Sequence, residues 1–319
     1  MKGHSDSIRR LFFAAGLASL TVLFSPAQAQ APSHSADVPI IKVMFLTGQC
    51  SKSHDWTKSS PILREMLDSA GIFAVDEVIT PPAGADMSGF SPDWSRYDVV
   101  VMDYDGDDWP EATKEAFAAF VRNGGGLVSF HATNNAFPDW KPFLEMTGVG
   151  GWRGRNESWG PMIRWVDGKT VAVDSPGSYW HPPKHDFLIT TREPDHPVMR
   201  GLPDAWMHAH DELYAQLRGP AQNVTILATA VADPAQFERS TGENEPMLMA
   251  IAYGSGRVFH TTLGHVGQGD EEPIRSVRCV GFMTTLLRGT EWAATGEVTL
   301  PVPEDFPTDK ATSVRPAGD

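Results

Sequence analysis

Only two cysteines, Cys50 and Cys279, occur in 319 residues. Two cannot build a disulfide framework, nor a cysteine-rich zinc or iron–sulfur centre. Basic residues are also scarce, 26 against 40 acidic ones, giving a formal net charge of −14. That balance argues against a nucleic-acid groove or an anionic membrane surface as the main partner. The longest apolar run, residues 11–24, is too short to span a bilayer. No G-x-S-x-G, H-E-x-x-H or C-x-x-C occurs, so serine hydrolase, zincin and thioredoxin-like readings lack their signatures. Gly168-Lys169-Thr170 has Ile163 where a phosphate loop needs glycine, and Gly254-Ser255-Gly256 is followed by Phe259 where a dinucleotide loop needs its third glycine.

What is present is a globular composition, 41% apolar and 21% charged, with 10 Trp and 11 His. The length suits one large α/β domain or two small ones. Arg9 and Arg10 precede the apolar run, and Ala27-Gln28-Ala29 has the small-x-small form of a cleavage site. Residues 1–29 therefore read as a signal peptide, by the Sec or the twin-arginine route, and residues 30–39 as a linker. The expected location is periplasmic or secreted. Processing there would remove more basic than acidic residues and leave an even more acidic protein. An oxidising compartment also leaves open a Cys50–Cys279 disulfide.

Downstream, hydrophobic patterning predicts strands over 40–46, 74–79, 97–102 and 127–130. Between them lie a helix capped by Ser59 or Ser60 that ends at Gly71, and an amphipathic helix over 111–122. Alternating strand and helix implies an α/β fold with a mostly parallel sheet flanked by helices. Residues 136–180 lose periodicity and hold five tryptophans (140, 152, 159, 165 and 180), which reads as an irregular Trp-rich insertion or lid. Further strands are expected over 162–166, 187–190, 212–216, 224–230, 247–253 and 257–262, then a helix over 274–287. The segment 296–319, rich in Pro, Thr and Asp near its end, reads as a flexible tail.

Ligands of parallel α/β sheets bind beyond the carboxyl ends of the strands. That rule selects His54, Asp103, Asp105 and His131, to which the segments around His210-Asp211-Glu212 and His265 add further candidates. Imidazole exchanges protons near neutral pH, and a neighbouring carboxylate orients it and raises its basicity. We therefore expect His54, His131, His210, Asp211, Glu212 and His265 to form a catalytic rim. Asp103, Asp105, Trp109, Asn134 and Trp152 are the expected substrate contacts, the tryptophans as platforms for a sugar ring. No cofactor is called for and no residue is assigned to a metal, although histidine with carboxylate suits a divalent ion.

Several of these segments resemble one family. Residues 48–57, Ser129-Phe130-His131-Ala132-Thr133-Asn134, His210-Asp211-Glu212-Leu213-Tyr214, residues 253–265 and residues 288–294 are similar to a ThuA-like (trehalose utilisation) domain over about residues 40–295. The resemblance implies a fold like class I glutamine amidotransferases, which is flavodoxin-like. In that fold a nucleophilic cysteine follows a central strand, but here the position reads Phe130-His131-Ala132-Thr133, so glutaminase activity is not expected. The resemblance further implies sugar catabolism through 3-keto sugars made by a partner oxidoreductase. The function expected is that of an exported enzyme acting on a glycoside or 3-keto sugar by His/carboxylate acid–base chemistry. A non-catalytic carbohydrate-binding accessory protein and a metal-assisted hydrolase are the alternatives.

Overall fold

The first described strand, β1 (Ile41–Thr47), is apolar on both faces, and this decides the layering of the molecule. The computed structural model describes residues 40–317; the signal-peptide and linker assignments lie outside them. Val43 and Phe45 point into one hydrophobic core while Met44 and Leu46 point into a second. Strand β3 (Val99–Met102) alternates in the same way, as period-2 geometry requires of a sheet covered on both sides. Helices α1 (Trp56–Ser69) and α5 (Val280–Thr295) fill the first side, and α2 (Glu111–Arg122) and α3 (Lys141–Thr147) the second.

Strands β2 (Phe73–Ile79) and β4 (Gly126–Phe130) complete the parallel half with β1 and β3. The remaining sheet strands are β7 (His185–Thr191), β8 (Ala205–Asp211), β9 (Val224–Val231), β10 (Asn244–Tyr253) and β11 (Gly256–Thr261). The sheet order is β2-β1-β3-β4-β11-β10-β9-β7-β8. Pairing is parallel from β2 to β11 and antiparallel from β11 to β8. The fold is thus α/β with a mixed sheet, which corrects the expectation of a mostly parallel one. The cause is visible in the chain: β10 and β11 are joined by a tight turn at Gly254, too short for the crossover that parallel pairing needs.

Several local expectations also change. Helix α1 begins at Trp56 because Asp55 accepts from the Thr57 amide, so Ser59 and Ser60 lie inside the helix rather than capping it. The strand placed at 212–216 lies instead at β8, just upstream. The last helix is broken at Cys279 into the short α4 (Arg275–Arg278) and α5. Within 136–180 the chain is not uniformly irregular: the expected strand over 162–166 is present as β5 (Met162–Val166), and the segment also forms α3 and β6 (Lys169–Val173), which pairs with β5 as a hairpin. A bidentate ion pair from Arg164 to Glu245 at 2.9 and 3.1 Å, both side chains buried, pins that hairpin to β10. Cys50 and Cys279 are both free thiols, so they are not joined.

The segment after α5 is fastened down, contrary to its reading as a flexible tail. Glu291 accepts from the amides of Thr299 and Leu300, and the backbones of Ser313 and Arg315 bond to Val280 and Arg278. Buried Arg288 donates to the carbonyls of Pro197, Val198, Arg200 and Leu300 at 2.6–3.0 Å. Among the described residues no helix is long and apolar enough to cross a membrane.

Candidate functional site

The strand order reverses direction about β1, and the ligand crevice of such a sheet opens where the chains leaving its central strands part. His54 follows β1, Asp103 and Asp105 follow β3, His131 follows β4 and His265 follows β11. All four strands run parallel, so their carboxyl ends share one rim. Glu212 and Tyr214 arrive differently. They leave edge strand β8 in a segment that is tied back by the pairings Trp180 with Ala215 and Gly150 with Arg218.

His131 stands at the turn out of β4 with φ of 41°, a backbone conformation that a non-glycine residue adopts only when its surroundings enforce it. Its Nδ1 lies 2.7 Å from the Thr262 carbonyl, which can only accept, so Nδ1 carries the proton and Nε2 is bare. That bare nitrogen faces Tyr214 Oη at 2.8 Å, His265 Nδ1 at 3.3 Å and Glu212 Oε2 at 4.0 Å. His265 Nδ1 is itself 3.0 Å from Glu212 Oε2. His54 closes the group, with Nδ1 at 2.8 Å from Ser51 Oγ and Nε2 at 3.5 Å from Tyr214 Oη. The three imidazole rings lie 4.9–5.3 Å apart, centre to centre.

Burial keeps two of these imidazoles, His54 and His131, neutral. Burial, with the neighbouring His265 and His181, pushes the His54 imidazole down to about 3. Burial and the same crowding hold His131 well below the ordinary histidine range. Burial also pushes the Tyr214 phenol well above its ordinary value, so it remains a proton donor.

The cluster forms the floor of an open cavity of about 500 Å³. His54, Glu212, Tyr214 and His265 line it together with Asp105, Trp152, Arg153 and His181. Glu212 Oε1 lies 3.6 Å from His181 Nε2, so this carboxylate faces imidazoles on both sides. Arg153 donates to Asp105 across the cavity at 2.6 Å. Trp152 packs its ring on Tyr214, Tyr179 and His181 and borders the cavity.

The structure therefore gathers His54, His131, Glu212, His265, Asp105 and Trp152, and moves the other expected residues elsewhere. His210 is exposed: a bulge between His208 and Asp211, where His210 itself adopts φ of 41°, interrupts the alternation that would have placed it beside buried Trp206 and His208. Asp211 lies beneath the site: it accepts from His208 Nε2 at 2.7 Å and from the amides of Gly264 and His265 at 2.6 and 3.0 Å. Asp103 is buried against the hydroxyls of Ser59 and Ser60, and burial pushes its carboxyl up to about 6. Trp109 is buried in an aromatic core with Trp94, Phe117, Phe137 and Trp140, leaving no face for a sugar. Asn134 is buried on His260, and it is its neighbour Asn135 that reaches the cavity. Tyr214, Arg153 and His181 were missed as site residues. Tyr214 alone had a sequence signal, two positions after Glu212.

Comparison with known proteins agrees with this architecture. The ThuA family profile, described as trehalose utilisation, matches residues 42–293. A ThuA-like protein from Parabacteroides merdae of known structure is 46% identical, with a TM-score of 0.82 over 86% of this chain and 98% of that one. A ThuA-like protein from Bacteroides uniformis shares the fold at 17% identity, with a TM-score of 0.54 over 84% and 98% of the two chains. No functionally curated protein matches the sequence.

Proposed function

The chain belongs to the ThuA family, and from that premise we propose that it is an exported enzyme that processes a glycoside or its 3-keto derivative by proton transfer. The observation that carries the reading is Glu212. It is the carboxylate that faces imidazoles on both sides of an open cavity, at 3.0 Å from His265 and 3.6 Å from His181. Export rests on the arginine pair, apolar run and small-x-small site of residues 1–29. A glutaminase is disfavoured because His131 holds the turn after β4 where a nucleophilic cysteine would stand, and Cys279 is fully buried.

A keto group acidifies the neighbouring C–H. In a 3-keto glycoside the C2 proton passes to Glu212, and the C–H electron pair becomes the C2=C3 bond of an enolate. When the enolate collapses, C3=O re-forms, C1=C2 forms, and the C1–O bond breaks with its electrons on the departing oxygen. That oxygen needs a proton, and His181 beside Glu212 is placed to return it. Tyr214, kept protonated by burial, is suited to hydrogen-bond the enolate oxygen. Trp152 offers an apolar face and the Asp105–Arg153 pair offers polar groups for hydroxyls. A sugar oxidoreductase is the class of partner that would supply such a ketone.

The test is incubation with 3-keto disaccharides in deuterium oxide, followed by NMR and mass spectrometry. Deuterium at C2 or cleavage of the glycosidic bond, both abolished in Glu212→Gln, is the expected result. Tight sugar binding with neither would assign the protein to the accessory, non-catalytic class and overturn the reading.

A further inference from the structure

We propose that His54, His131 and His265 together form a binding site for one divalent first-row transition ion, with Glu212 at its edge. One nitrogen from each ring lies within 4.8 Å of the other two. The spacing is close to what coordination demands: two nitrogens at 2.0–2.1 Å from a tetrahedral ion stand about 3.4 Å apart, and His131 Nε2 and His265 Nδ1 are at 3.3 Å.

Two of the three rings have outer partners of the kind that metal-bound histidines use. The Thr262 carbonyl takes the Nδ1 proton of His131 and so turns its bare Nε2 inward. Ser51 Oγ engages His54 Nδ1, leaving Nε2 to face the cluster. The backbone of His265 is fixed through its amide by Asp211. Direct hydrogen bonding serves the cluster less well. The single lone pair on His131 Nε2 faces both Tyr214 Oη and His265 Nδ1, and can accept fully from only one of them. An ion would take the lone pairs of all three rings and lie within reach of the Glu212 charge.

Imidazole donors suit zinc and its neighbours better than magnesium or calcium. Three protein nitrogens leave a coordination position open toward the cavity, the arrangement of catalytic rather than structural sites. A sugar oxygen, either the keto group or a hydroxyl next to it, is the ligand that would take that position. This last step rests on the sugar reading above; the ion site itself rests on the nitrogen geometry alone.

The experiment uses the full-length processed protein without a histidine tag, stripped with a chelator and titrated with zinc, cobalt(II) or magnesium chloride. Calorimetry should give one zinc per chain. Cobalt(II) should produce the visible absorption of a low-symmetry four- or five-coordinate nitrogen/oxygen site. His131→Ala and His265→Ala should each weaken binding by about 100-fold or more, while His210→Ala, on the outer face, should bind as wild type. Circular dichroism on each variant separates loss of site from loss of fold; His54→Gln, at the more exposed ligand, serves if the buried variants do not fold.

Absence of stoichiometric zinc or cobalt binding, equal binding in His131→Ala, or binding of magnesium alone would overturn the proposal. Sugar exchange is run on the same preparations. Ion-loaded protein that exchanges no sugar proton leaves the ion site standing and removes the sugar reading. Stripped protein that binds no ion yet turns over sugar does the reverse.

Discussion

Replacing Asp211 with asparagine should be among the most damaging single-atom changes available in this protein, although Asp211 does not line the cavity. Its two oxygens accept four hydrogen bonds: from His208 Nε2, from the amides of Gly264 and His265, and from the amide of Glu212 at 2.8 Å. Both Asp211 and His208 are wholly buried. Burial would press the His208 imidazole down, but the Cys279 sulfur in its ionised form and the hydrogen-bonded Asp211 carboxylate outweigh it and raise it to about 10. The pair is therefore ionic in the folded state, Asp211 being kept well below the ordinary carboxylate range. Asparagine keeps the shape but removes the charge, and its NH2 group must face either the Gly264 amide or the His265 amide. An orphaned buried N–H costs about 1–3 kcal/mol, and an unpaired buried charge brings the total to about 3–5 kcal/mol. Urea unfolding followed by tryptophan fluorescence would measure the loss. Asp211→Asn, His208→Gln and the double variant would give the coupling, expected at about 1–3 kcal/mol. Losses below about 1 kcal/mol in both single variants, the range of exposed ion pairs, would refute the argument.

Four further outcomes follow from the same contacts. Trp109→Ala should cost about 3–5 kcal/mol of stability and leave ligand affinity unchanged, whereas Trp152→Ala should weaken sugar binding about tenfold with little loss of stability; urea unfolding and calorimetry on the two variants separate packing from recognition. Burial holds His260 at about 4; its folded value lies below its unfolded one, so stability is full above pH 6.5 and falls as pH drops through that value toward 4. The loss between pH 7 and pH 5 should be about 2 kcal/mol from this residue, read as a urea midpoint shift that His260→Gln reduces; identical slopes in both proteins would sink the assignment. Gly264 has φ of 102°, and a Cβ there would sit 2.5 Å from the Phe130 ring. Gly264→Ala should therefore lower stability by about 2 kcal/mol or more and displace His265, visible as lost zinc binding. Glu245→Gln should loosen the β5–β6 hairpin at a cost of about 3–5 kcal/mol, detected as faster amide exchange in that hairpin.

Much of the parallel half could be read directly from sequence, because β1 and β3 are apolar on both faces and such runs are rarely anything but covered strands. The rule that ligands gather beyond strand ends then points to His54, Asp105 and His131 without any contact information, though also to Asp103, which is buried against Ser59 and Ser60. The antiparallel half was harder. Edge strand β8 carries Trp206, His208 and Asp211 inward, so its core face has no aliphatic pattern, and the pattern points instead to 212–216, just beyond the end of β8. His210 leaves the site because of the bulge between His208 and Asp211, an extra residue that an alternating pattern does not foresee. Trp109 misled for a different reason. Indole suits a sugar platform and an aromatic core equally, and only the surrounding Trp94, Phe137 and Trp140 decide between them. Arg153 depends on where the segment after β8 crosses, which no local pattern encodes.

The Arg288 clasp has a consequence for the environment in which this protein can persist. Its guanidinium joins four carbonyls from residues 197–200 and 300 to a helix in the core. In effect it cross-links chain segments about ninety residues apart in sequence. Secreted proteins often delegate that task to cystine, which survives only where oxidants hold it closed. The hydrogen bonds of a guanidinium fork do not respond to oxidants or reductants, and with both cysteines free the molecule has no disulfide for a reductant to cut. Its melting temperature should be the same with and without dithiothreitol, and the fold should be equally complete in reducing and in oxidising surroundings.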